Sequence, residues 1–141
     1  MISDAGHAQI MDFGVSVIPE LQGFTTTTNW NARYSAPELL PMDDSPPPKP
    51  TKASDIFSLG ILLLQLFDGR EKCVPYAHLR VHQIHGQQEY HVIRAIHEGD
   101  RPRREDYDFD HQDDRWALIK WCWAHDPVSR PSIQQMRTGL A

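Results

Sequence analysis

Cysteine is scarce in this sequence. Cys73 and Cys122 are the only two among 141 residues, too few and too isolated for a disulfide framework, which sets aside the stapled secreted scaffolds. No apolar run reaches the roughly 20 residues that a membrane span requires. The opening MISDAGHAQI has neither the basic nor the apolar region of a secretory signal. A cytoplasmic or nuclear, intracellular setting is the expectation, with no membrane as partner. Positive charge is short as well: the net charge is -5, and the one dense basic cluster is RPRRE at 101–105. That is no footprint for nucleic acid, which is not expected as a partner. No lysine or arginine stands before Arg33, so the first part of the chain has no cation of its own to hold a phosphate.

What is present suits one domain, since 40% hydrophobic and 23% charged residues can bury a core and fold as a unit. Its centre is the stretch 52–69, KASDIFSLGILLLQLFDG. Ile56, Phe57, Leu59, Ile61, Leu62, Leu63, Leu64, Leu66 and Phe67 cannot share one stripe, so this helix has to be wrapped by other elements. Asp55, near its start, reads as a cap or dipole complement helped by Ser54.

Around that helix, 2–11 reads as a strand end, a turn and a second short strand. A polar loop carries Thr25, Thr26, Thr27 and Thr28, and Pro37 opens a short helix. The prolines of 41–52 make a stiff surface connection, and the histidine-rich 70–88 reads as a variable surface insertion. Helical spacing returns at 89–98 with Val92, Ile93 and Ile96, and again at 116–123 with Trp116, Ile119 and Trp123. Residues 101–114 read as charged loop, and a last helix runs from near Pro131 to about Leu140. The expected class is mainly α, with a short β-hairpin remnant at the N-terminus.

A lone Asp-Phe-Gly tripeptide is a weak signal. Order and spacing carry more: Asp12-Phe13-Gly14, then Ala36-Pro37-Glu38, then Asp55-Ile56-Phe57-Ser58-Leu59-Gly60, then Cys122-Trp123, Asp126-Pro127 and Arg130-Pro131 stand in one sequence. This arrangement resembles the C-terminal lobe of a eukaryotic protein kinase. The phrase WCWAHDPVSRPSIQQM looks most like the tyrosine-kinase-like group of serine/threonine kinases. The resemblance covers 1–141 as a partial kinase domain, activation segment and C-lobe helices, with insertions at 41–52 and 70–88 and the N-terminal lobe absent.

What the resemblance implies can be stated residue by residue. Asp12 matches the aspartate that coordinates the magnesium bridging the β- and γ-phosphates of ATP, a role that suits a carboxylate and a hard cation. Phe13 would pack beneath an N-lobe helix, and Gly14 would let the loop change state. Thr25 to Thr28 would lie in the activation loop, where phosphate could pair with arginines; an unmodified polar loop is an equal reading. Asn31 stands where these kinases usually carry a threonine near the catalytic aspartate, with Arg33 and Tyr34 in the peptide-positioning stretch. Glu38 and Arg130 match a buried structural ion pair. Asp55 matches the aspartate that holds the backbone of the catalytic loop.

His78, His82 and His85 fall at spacings of four and three, with His91 and His97 beyond, but no carboxylate or cysteine completes a metal-ligand motif. The sequence holds no G-x-G-x-x-G loop and no HRD catalytic loop, and Met1 stands where that loop would precede ISDAGHAQIMDFG. The expectation is therefore a kinase-domain fragment. Its parent would phosphorylate protein serine or threonine with ATP and Mg, while the chain itself would bind neither tightly and would be inactive. A protein substrate or a partner kinase is the expected partner. A non-catalytic, pseudokinase-like binding module is the alternative.

Overall fold

The structure is a computed structural model and describes residues 1–11, 31–40, 49–79, 87–110 and 112–140. Among these residues four α-helices dominate: α1 (Lys52–Asp68), α2 (Gln87–His97), α3 (Asp113–Cys122) and α4 (Ile133–Leu140), with short 3-10 turns before and between them. In front, the expected hairpin is an isolated antiparallel bridge between Ile2 and Ala8, closed by Gly6 at φ 79.

Helix α1 starts at a capping box. The Thr51 side chain accepts from the Ser54 backbone N–H, while the Ser54 hydroxyl accepts from the Thr51 N–H, so two of the helix's orphan donors satisfy each other's segment. This corrects the reading of Asp55 as the cap. Asp55 lies one residue further in and takes no part in the cap; it is the acid of the first turn, where its charge complements the helix dipole. At the other end Gly69 takes a left-handed φ of 66, and its N–H returns to the Gln65 carbonyl.

The core forms where α1 crosses α3. Phe57, Ile61 and Leu64 of α1 and Ile119 and Cys122 of α3 are 0% exposed. Gly60 permits the crossing: a Cβ there would sit 2.6 Å from Cys122 Cβ and 2.7 Å from Trp123 Nε1, far inside van der Waals contact. Helix α2 packs its Val92 and Ile96 inward, and Gly99 with φ 91 follows its last turn. The full wrapping expected of α1 is not what forms. Leu62 and Leu66 are 56% and 68% exposed, and together with Asp55 they mark one open stripe at helical spacing.

Two stretches read as surface contribute to the core. Tyr76, within the supposed surface insertion, is 0% exposed, and Phe109, within the supposed charged loop, is 1% exposed. In Asp106-Tyr107-Asp108-Phe109-Asp110 the aromatics alternate with acids and turn inward. Phe109 meets Trp116 edge-on with centroids 5.0 Å apart, and Trp116 meets Trp123 at 5.8 Å. Helix α3 begins at Asp113, three residues earlier than its apolar spacing indicates, because Asp113 and Asp114 supply negative charge to its first turn.

Candidate functional site

The candidate site is built on the segment 31–40, which has little regular structure of its own: two single 3-10 turns, Ala32–Tyr34 and Pro37–Leu39. It is held by hydrogen bonds to α1, to α2, to the turn at Pro75 and Tyr76 and to Arg130. The Ser58 hydroxyl of α1 donates to the Tyr34 carbonyl at 2.8 Å, and the Tyr34 hydroxyl donates to Gln65 Oε1 at 2.8 Å. Arg33 donates to the carbonyls of Pro75 and Tyr76. His97 of α2 lies 3.1 Å from the Leu40 carbonyl. Asn31 is exposed, and its side chain caps nothing.

The strongest tie is ionic. The Arg130 guanidinium donates to both Glu38 oxygens, at 2.7 and 2.8 Å, in the two-pronged geometry that favours arginine over lysine. Its remaining donors go to the carbonyls of Ala53, Ala124 and His125. All five N–H groups are thereby used, which is what a side chain with 0% exposure needs. Burial alone would push the Glu38 carboxyl up, but the Arg130 hydrogen bonds and charge outweigh it and hold the group below the usual glutamate range.

The same guanidinium lies 5.1 Å from the centre of the Phe57 ring, and Arg101 lies 5.2 Å from it. Arg101 donates to the carbonyls of Ile96, Asp100 and Trp123 and to His125 Nδ1. Burial pulls its affinity for the proton down from the ordinary arginine value. The basic cluster at 101–105 is therefore no free patch: Arg101 is spent on the core, and Arg104 on Asp113 and the Phe109 carbonyl. Arg101 was missed as a structural residue because it stood in a run of charge. The Gly99 stop signal just before it was the one available hint that the chain turns inward there.

Asp55 projects from α1 beside the open stripe. Partial burial raises its carboxyl above the usual aspartate range, in keeping with a charge that has lost water and gained no donor. Asp12, Phe13 and Gly14, and Thr25 to Thr28, lie outside the described residues. So do His82 and His85; His78 and His97 are engaged with Asp100 and with the Leu40 carbonyl. Among the described residues no three His, Cys, Asp or Glu side chains gather to hold a metal ion. Asp12, the residue that the resemblance matches to Mg, lies outside that set.

The model of the protein kinase domain matches residues 1–139. This chain belongs to the protein kinase family. Relatives of the kinase chain agree. It is 30% identical over 140 residues to a probable serine/threonine-protein kinase of Dictyostelium discoideum, covering 98% of this chain and 13% of that protein. Serine/threonine-protein kinase 12 of Arabidopsis thaliana is 26% identical over 136 residues, covering 94% and 26% respectively. The dual specificity protein kinase shkC of Dictyostelium discoideum is 24% identical over 143 residues, covering 99% and 25%. The kinase chain thus spans no more than about a quarter of the length of these relatives. Among its described residues no helix is long and apolar enough to cross a membrane.

Proposed function

We propose that these 141 residues are the activation segment and C-lobe helices of a kinase domain whose parent transfers the γ-phosphate of ATP to serine or threonine in proteins. The observation that carries this reading is the clamped segment 31–40, fixed by the two-pronged Glu38–Arg130 pair, by Arg33, Tyr34 and His97, and by the Ser58 hydroxyl. A stretch with so little secondary structure has no reason to be held at five places unless its shape matters. Shape is what a surface that positions a peptide needs. In the complete domain Asp12 would ligate Mg, and Thr25 to Thr28 would lie in the loop that phosphate orders.

By themselves these residues lack the catalytic base and the glycine-rich phosphate loop. Phosphoryl transfer rests on positioning and charge neutralisation, which Asp12 alone does not supply. The test uses γ-labelled ATP, Mg and a generic protein acceptor. The 141-residue chain transfers no label, and the chain joined to the preceding segment of its own reading frame does, in a manner abolished by Asp12→Ala. Transfer by the short chain that Asp12→Ala removes overturns the first half; an inert extended protein overturns the second.

A further inference from the structure

Two ties reach Tyr34 from one face of α1. Ser58 and Gln65 stand about two helical turns apart and so lie on the same side of the helix. The Ser58 hydroxyl donates to the Tyr34 carbonyl at 2.8 Å, and the Tyr34 hydroxyl donates to Gln65 Oε1 at 2.8 Å. Backbone and ring end of one residue are thereby set against a rigid rod.

Gln65 also reaches the other way. Its Nε2 donates to the Cys73 carbonyl at 2.8 Å. A carbonyl only accepts, so the amide's NH2 group has to face Cys73 and its oxygen has to face Tyr34, which leaves the Tyr34 hydroxyl the role of donor. The point from which Gln65 projects is fixed as well, because its own carbonyl takes the Gly69 N–H at the left-handed end of α1. Just beyond Cys73 the chain is bound to the same segment again, where Arg33 donates to the carbonyls of Pro75 and Tyr76. Residues 33–34 and 73–76 are thus joined in a closed circuit, and one half of it passes through a single side chain.

We propose that Gln65 is the positioning residue of the peptide-positioning stretch: by spanning Tyr34 and the Cys73 carbonyl it sets where residues 33–35 stand against the helices, and so how a protein acceptor is seated. This rests on the kinase reading above. Gln65 acts through Tyr34 and takes no part in the transfer itself. An uncharged amide suits the place because it donates and accepts at once. A glutamate of the same length would set an oxygen against the Cys73 carbonyl, and a leucine would bond neither partner. Tyr34, Ser58 and Gln65 are all half-buried, so water replaces their mutual bonds only in part.

The test has two arms. In the 141-residue chain, amide hydrogen exchange reads local opening at Tyr34 and Ser35, whose N–H groups close the turn on the Asn31 and Ala32 carbonyls. Gln65→Leu speeds exchange there about tenfold, as the loss of two hydrogen bonds of ordinary net strength implies, while the amides of Ile61 and Ile119 in the core exchange as in wild type. Tyr34→Phe has the same effect more weakly, and the double variant opens no further than Gln65→Leu, since both remove one shared bond. In the chain joined to the preceding segment of its own reading frame, Gln65→Leu raises KM for a peptide acceptor about tenfold and leaves KM for ATP unchanged; a mere loss of folded protein would lower kcat and leave both KM values where they were. Exchange at Tyr34 and Ser35 that ignores Gln65→Leu, additive effects in the double variant, or an unchanged acceptor KM in an active kinase overturns the proposal. An inert wild-type extended protein counts against the kinase reading, and the exchange rates then decide the role of Gln65 by themselves. Should Gln65→Leu fail to fold, Tyr34→Phe decides by the same two amides.

Discussion

Replacing Glu38 by Gln changes almost nothing in shape and removes one charge from beside Arg130, the best-bonded cation among the described residues. Arg130 has 0% side-chain exposure and five committed donors. A glutamine offers one oxygen where two stood, and its NH2 group faces an Arg130 N–H donor to donor. Arginine cannot shed its proton to relieve the conflict, and no water reaches it. Breaking one side of a buried pair costs about 3 to 5 kcal/mol. Glu38 keeps 26% exposure, so the expected cost of Glu38→Gln lies near the lower end, about 3 kcal/mol. An exposed pair would lose only about 0 to 1 kcal/mol. The pH dependence gives a second handle. Because the folded Glu38 carboxyl is held below its usual range, its contribution is present above the ordinary glutamate value and lost as pH falls through the lowered one. The gap between wild type and Glu38→Gln is therefore widest near neutrality and closes in acid. Urea unfolding followed by the fluorescence of Trp116 and Trp123, buried to 8% and 3% exposure, measures it. A gap below about 1 kcal/mol at neutral pH, or one that widens toward acid, would refute the reasoning.

Three further outcomes are expected. Gly60→Ala gains about 1 kcal/mol of helix propensity but forces α1 and α3 apart from a 2.6 Å approach; overpacking of about 1 to 3 kcal/mol should win, and a more stable variant in thermal unfolding would contradict the packing described. Asp55→Ala costs less than about 2 kcal/mol, the upper end for losing a cap, and less than Thr51→Ala, because Thr51 is the residue that caps α1; denaturant midpoints rank the two. Burial pushes the Cys73 and Cys122 thiols up to about 12, with the Asp68 carboxylate adding to it at Cys73. A thiol reagent at about pH 8 should then label both slowly in the folded chain and rapidly in urea, and fast native labelling would show the thiols to be open.

The sequence made some of this legible and hid the rest for physical reasons. The centre of the fold lay in the density of large apolar residues between Ile56 and Phe67, and α1 forms there. That one stripe of it would stay open could not be read, since Leu62 and Leu66 look the same as Leu63 and Leu64 until neighbours are placed. Tyr76 and Phe109 were misjudged because neither stands in a stretch with sustained helical or strand periodicity, and the burial of each depends on partners distant in the chain. The capping box went unrecognised because serine, not glutamate, fills its third position, and the nearby carboxylate of Asp55 drew the role to itself. Glu38 and Arg130 had no local signal at all. Only the order of motifs put them together, and neither spacing nor periodicity can pair residues separated by most of a chain.

That separation bears on how the protein is made. Glu38 and Arg130 lie 92 residues apart, and at roughly 5 to 20 residues per second a ribosome needs about 5 to 18 s to deliver the second after the first. During that interval the acid is solvated and the segment 31–40 has no anchor there. The apolar face of α1 meanwhile waits for α3, which is synthesised almost as late. Contacts of such long range are slow to form and leave hydrophobic surface open while they do. Synthesis of this chain thus creates a window of several seconds in which a holdase chaperone, or an aggregating neighbour, competes with the native partner for the same leucines.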